Sequence, residues 1–136
     1  MYKISLITGD GIGPELSESV VSVLEAIHDR LGVHFEIQKL LAGDIALKQY
    51  GKALPEQTLD AIKKSDVCMK APVGESAADV IVVLRRMLDL YANIRPAKSY
   101  PGMNALKDGI DMVIVRENTE DLYTGQEFET PGAAVA

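Results

Sequence analysis

The chain has 136 residues, 47% of them hydrophobic and 25% charged, an ordinary globular composition that excludes wholesale disorder. Fourteen Lys and Arg against twenty Asp and Glu give a net charge of −6, which excludes an overall basic field for nucleic acid or an anionic membrane. A single cysteine, Cys68, cannot form an internal disulfide and points to a reducing, cytoplasmic compartment. The N-terminal MYKISLIT reaches Asp10 too soon for a signal peptide, and no stretch approaches the ~18 apolar residues of a membrane span.

Residues 3–8 alternate and are rich in isoleucine, which predicts a strand. Gly9-Asp-Gly-Ile-Gly13 breaks it, and Pro14 predicts the first turn of a helix, where its missing N–H costs nothing. Leu16, Val20, Val23, Leu24, Ile27 and Leu31 fall on one face of that helix, and Gly32 is placed to stop it. A second strand is expected over 33–40, a short helix over 43–50, and a further helix opening at Pro55 with Leu59 and Ile62 on its buried side. Residues 66–70 read as a short buried strand, and 79–90 as a helix with Val80, Leu84, Met87 and Leu88 on one face. Residues 92–99 read as extended and 112–116 as an apolar strand. Strands alternating with helices imply an α/β fold with a largely parallel sheet flanked by helices. The turn signal Ser99-Tyr-Pro-Gly102 divides the chain into 1–98 and 99–136, and the tail 130–136 reads as a chain cut in mid-element.

The glycine loop between strand and helix is either a tight turn or a place where backbone N–H groups face an anion. Its spacing is not that of a dinucleotide fingerprint, and Gln38, Lys39 and Leu40 stand where an acidic residue would end the second strand. The arginines say more. Four of the five, Arg85, Arg86, Arg95 and Arg116, lie within one 32-residue stretch, with Lys98 nearby. In an acidic chain such arginines are either ion-paired or set out to bind an anionic ligand. Arg85, Arg95 and Arg116 stand on three different elements, and guanidinium forks grip carboxylates bidentately, so their convergence would suit a small polycarboxylate. Tyr123, seven residues after Arg116 in a polar loop, is either a packing residue or a proton donor. His28 and His34 lack partners at metal-ligand spacing and read as structural, and Cys68 reads as an inert core thiol. No zinc spacing, nucleophile elbow or P-loop is present.

Three segments together, Gly9-Asp-Gly-Ile-Gly-Pro-Glu15, Leu88-Asp-Leu-Tyr-Ala-Asn-Ile-Arg-Pro96 and Val115-Arg-Glu-Asn-Thr-Glu-Asp-Leu-Tyr123, resemble the metal-dependent β-decarboxylating dehydrogenases. That family comprises the isocitrate, homoisocitrate, 3-isopropylmalate and tartrate enzymes. The motifs stand in the family's order and spacing, from the first strand to about Phe128. The resemblance implies a non-Rossmann α/β fold, present here in part, with 1–98 belonging to the large domain and 99–136 starting the second, dimerisation and substrate domain. It implies oxidation of a 2-hydroxy-3-carboxy acid by NAD or NADP and release of CO2 with help from Mg2+ or Mn2+. Arg85, Arg95 and Arg116 would then clamp substrate carboxylates, Tyr123 would protonate the enol left by decarboxylation, and Lys70 would lie near the nicotinamide. A small-molecule substrate and a homodimer are implied; no nucleic-acid or membrane partner is expected.

Family members are more than twice this long. Their catalytic lysine, metal-binding aspartates and adenosine loop have no counterpart in these 136 residues, so the metal and adenosine sites are expected outside this chain and the chain alone is expected to be inactive. Substrate choice in the family is set by the turn before the residue matching Arg85. Isocitrate enzymes carry Ser and Asn where this chain has Asp79 and Ile81, and homoisocitrate enzymes a basic residue where it has Val82. The apolar pair Ile81 and Val82 matches the isopropylmalate enzymes, although their usual glutamate is replaced by Ala78, and residues 116–123 lean towards isocitrate and archaeal-type members. A branched, apolar substrate such as 3-isopropylmalate is therefore expected, with isocitrate or homoisocitrate next. A non-catalytic carboxylate-binding or regulatory module built on the same half-fold is the alternative of another class.

Overall fold

The computed structural model describes residues 1–120, 124 and 128–135. The chain divides into two compact units, Met1–Leu84 and Arg85–Ala136. The first is built on β1 (Tyr2–Ile7), which runs between β2 (Phe35–Leu40) and β3 (Val67–Lys70) in a parallel sheet of order β2-β1-β3. Ile4 lies opposite Ile37 on one side and Val67 on the other, and Ile7 opposite Leu40 and Lys70. A central parallel strand has both faces covered, which is why Ile4, Leu6 and Ile7 are all buried despite pointing alternately to opposite faces.

Helices supply the connections. Helix α1 (Gly13–Leu31) starts with a proline in its first turn and stops at Gly32, which adopts a left-handed conformation and donates its N–H to the His28 carbonyl oxygen. Helices α2 (Asp44–Tyr50) and α3 (Glu56–Lys63) follow β2, and α3 buries Thr58 and Ile62, four residues apart on one face. Helix α4 (Ala77–Met87) follows β3 and buries Val80 and Leu84 by the same spacing. It begins two residues before the expected start and ends early. Asp89 takes a positive φ of 49°, which a short polar side chain tolerates, and the Leu90 N–H closes the turn on the Arg85 carbonyl oxygen at 2.8 Å.

The apolar face expected for α1 is only partly covered. Gly13 and Ser17 are the buried residues of that helix, whereas Leu16 and Val23 are exposed. They border a groove of about 660 Å³ lined also by Leu6, Val20, Met69 and Pro72.

The second unit pairs antiparallel, in contrast to the first. Strands β4 (Ala92–Lys98) and β5 (Asp111–Glu117) are aligned along their whole length, from Ala92 opposite Glu117 to Lys98 opposite Asp111. The 98/99 position lies in the connection between them, closed by the Ser99 N–H on the Ile110 carbonyl oxygen at 2.9 Å. Strands β6 (Phe128–Thr130) and β7 (Ala133–Val135) form a further hairpin around Pro131-Gly132, where no strand is legible in the sequence.

Candidate functional site

The two strands of the second unit place two of the predicted arginines together. Arg116 stands opposite Asn93, and Arg95 opposite Ile114. Because side chains alternate along a strand, Asn93, Arg95, Ile114 and Arg116 share one face, with the two arginines as diagonal neighbours roughly 7–8 Å apart between backbones. Arg95 Nε donates to Asn93 Oδ1 at 3.3 Å, which sets the direction of its guanidinium. Arg85 lies half-buried in the last turn of α4. Neither Arg85 nor Arg95 joins an ion pair among the described residues, unlike Lys39, Lys52 and Lys98. Internal ion pairing therefore does not account for these two arginines.

The loop after Arg116 is shaped by Glu117, whose carboxylate accepts the N–H of Thr119 at 2.6 Å and that of Glu120 at 3.0 Å. Those bonds, the Thr119 amide first, hold it below the ordinary carboxylate range. Asn118 is buried and donates to the Leu90 carbonyl oxygen at 3.0 Å, tying this loop to the segment that leads into β4. The predicted proton donor Tyr123 lies outside the described residues.

In the first unit, Ile81 and Val82 are half-buried on α4, next to the fully buried Val80. Lys70 ends β3 beside the apolar groove, with its Nζ on the Ala71 carbonyl oxygen at 2.8 Å. Cys68 is half-buried, and burial pushes its thiol up, against a smaller opposing pull from Lys70, as befits an unreactive thiol. His28 and His34 pack edge to face with ring centroids 4.4 Å apart, and His28 Nδ1 meets the Val33 carbonyl oxygen at 3.1 Å. Among the described residues no group of three His, Cys, Asp or Glu side chains is placed to hold a metal ion. No helix among them is long and apolar enough to cross a membrane.

The glycine loop forms a tight turn that uses part of its own amides internally. Its Asp10 and Gly13 amides are taken up by the Pro72 and Asp10 carbonyl oxygens, at 2.9 and 2.8 Å. The loop also carries a carboxylate inward: Asp10 is 9% exposed and accepts the N–H groups of Asp44 at 2.9 Å, Ile45 at 3.0 Å and Gly74 at 3.0 Å. Burial pushes the Asp10 carboxyl up, but the Gly74, Ile45 and Asp44 amides outweigh it and leave it below its ordinary value.

A second carboxylate continues the chain of contacts. Asp44 accepts the Ser76 hydroxyl at 2.6 Å, the Ser76 amide at 2.9 Å and the Glu75 amide at 3.1 Å. The Ser76 contacts dominate in holding Asp44 below the usual carboxylate range. Two glycines make room for this. A Cβ on Gly43, which has a φ of +98°, would overlap the Asp10 carboxylate, and one on Gly74 would overlap that of Asp44. Asp10, Asp44 and Ser76 are absent from the residues singled out in the sequence. The available signal was Ser76-Ala-Ala-Asp79, which has the form of a capping box, although the Ser76 hydroxyl goes to Asp44.

Comparison with known proteins bears out the family resemblance read from the sequence. The family model described as isocitrate/isopropylmalate dehydrogenase matches residues 3–135. The chain belongs to this family. The 3-isopropylmalate dehydrogenase of Saccharolobus solfataricus is 50% identical over 129 residues, which are 95% of this chain and 38% of that protein. The 3-isopropylmalate/3-methylmalate dehydrogenase of Methanocaldococcus jannaschii is 51% identical over 129 residues, again 95% of this chain and 38% of the relative. Among solved structures, isocitrate dehydrogenase from Methylococcus capsulatus superposes with a TM-score of 0.82 at 42% identity, covering 99% of this chain and 41% of that one. The isocitrate/isopropylmalate dehydrogenase fold, mixed α/β with a parallel sheet flanked by helices, is thereby confirmed. The chain spans about 40% of the length of the curated relatives it matches.

Proposed function

We propose that these residues serve an NAD(P)-dependent oxidative decarboxylation of 3-isopropylmalate, as the N-terminal portion of a β-decarboxylating dehydrogenase. The observation that carries the reading is about 50% identity, over nearly the whole chain, to archaeal proteins named for that substrate. The apolar pair Ile81 and Val82 supports it, because an alkyl group fits against such side chains, whereas a third carboxylate there would lose hydration without a partner.

Arg95 and Arg116, together with Arg85, hold the two carboxylates of the malate unit by charge-assisted hydrogen bonds and fix the C2 hydroxyl and C3 carboxylate for reaction. When bound, NAD(P) would supply the hydride acceptor for C2 and a divalent cation the Lewis acid for the resulting carbonyl. The family resemblance assigns the ligands of that cation to residues outside these 136. Once the carboxylate leaves as CO2, the Tyr123 hydroxyl delivers a proton to C3 of the enol. Lys70 is assigned to the nicotinamide end of the site. The domain boundary of the whole enzyme is placed at 98/99, with a homodimer as the working assembly and the cytoplasm as the compartment in keeping with the lone Cys68.

The test is steady-state kinetics of the natural full-length chain on 3-isopropylmalate, isocitrate and homoisocitrate with either nucleotide. The expected result is a kcat/KM for 3-isopropylmalate about 100-fold or more above the tricarboxylates, in line with a desolvated carboxylate costing several kcal/mol. A preference for isocitrate, the substrate named for the Methylococcus neighbour, overturns the assignment.

A further inference from the structure

Asp10 and Asp44 lie 34 residues apart and are linked in series. The first carboxylate holds the amides that open α2, including that of Asp44 itself, and the second holds the amides that lead into α4. Asp10 also takes the Gly74 amide, so the segment 74–76 is gripped by both. Of the residues in this segment, Ser76 is buried, and α4 follows with Val80 and Leu84 in the core. The buried pair fixes the rotation of α4 about its axis. To that packing, four directed bonds from residues 74–76 to Asp10 and Asp44 add an axial anchor at the start of the helix.

Ile81 and Val82 lie five and six residues beyond Ser76, about 7–9 Å along the helix at 1.5 Å per residue. A slip of α4 at its start is therefore passed directly to them. We infer that Asp10 and Asp44 are positioning residues for substrate choice, holding the helix that presents Ile81 and Val82 through the Asp10–Asp44–Ser76 relay. The inference rests on the isopropylmalate reading for its substrate and on these contacts alone for its mechanics.

The experiment uses the natural full-length chain and variants Asp44→Ala, Asp44→Asn and Ser76→Ala, studied well below their unfolding temperatures. Asp44→Ala should raise KM for 3-isopropylmalate by about tenfold or more and reduce its preference over isocitrate by a similar factor, since sub-ångström to 1 Å displacements are costly to a fitted substrate. The loss should fall mainly on KM. Asp44→Asn keeps one oxygen for Ser76 and should recover most of the preference, and Ser76→Ala should fall between. Hydrogen exchange, read in the same proteins, should show lost protection at the Ser76 amide and through the first turn of α4 in Asp44→Ala, with β1 unchanged. Faster exchange throughout β1 as well would mark general destabilisation and overturn the inference, as would an unchanged substrate ratio. If the wild-type chain is inactive on both acids, the catalytic reading and the substrate half of this inference fail together, while the exchange data still decide whether the relay holds α4.

Discussion

Arg95 and Arg116 put two guanidinium groups on one face of a two-stranded ribbon, an arrangement suited to gripping a dicarboxylate. A carboxylate clamp and a proton donor act at different stages, so Arg116 and Tyr123 should be separable by mutation in the complete enzyme. Arg116→Ala should cost about 1.5–3 kcal/mol of carboxylate binding, a rise in KM of roughly ten- to a hundredfold, with a smaller effect on kcat. Tyr123→Phe should leave substrate affinity intact and slow turnover by about 10²–10⁴, the usual contribution of a positioned general acid. Weaker binding with unchanged kcat in the tyrosine variant would make it an anchoring residue. The arginines were legible in the sequence because a guanidinium inside an apolar strand, as in Ile94-Arg95-Pro96, stands out from the hydrophobic pattern. Asp10 and Asp44 were not. Each looks like ordinary turn chemistry beside a glycine, and their partners lie 31 to 64 residues away.

At the scale of elements, those two carboxylates make the entries to α2 and α4 sensitive to acid. Each has a folded pKa held below the unfolded value of about 3.9, so each contributes stability that is complete above that value and is lost as pH falls through the folded one. Hydrogen exchange at Asp44, Ile45 and residues 74–76 should be steady, after correction for intrinsic rates, from pH 7 to 5. Protection should decline below about pH 4, before that of β1. Asp10→Asn should flatten the decline at Asp44 and Ile45; a wild-type profile in that variant would show that the carboxylate charge is not what holds α2. The existence of β1–β3 and of the four helices followed from periodicity and from punctuation by Pro14, Gly32 and Pro55. The boundaries of α4 did not, because its start is set through Ser76 by Asp44 at the head of α2, 32 residues earlier in the chain, and its end by the left-handed Asp89. The β6–β7 hairpin escaped for a different reason: three-residue strands are too short to show a period.

At the scale of the whole molecule, much apolar surface lies open. Met112, Val113, Ile114 and Val115 of β5 are 49–65% exposed, and Leu16 and Val23 border the groove beside β3. Among the described residues β2 and β3 are the outer strands of their sheet, and Val67 on β3 is itself exposed. Unpaired strand edges next to apolar surface are templates for association, and the net charge of −6 opposes it only weakly at physiological salt. The 136-residue chain by itself should therefore self-associate at micromolar concentration. Val113 and Val115 share the face of β5 opposite to the arginines, so the double variant Val113→Lys, Val115→Lys should push the equilibrium towards monomer without touching the carboxylate clamp. Sedimentation velocity over a concentration series reads both. A stable monomer of the unmodified chain would show that this apolar strand does not drive association, and unchanged association of the double variant would move the contact to the groove between α1 and β3.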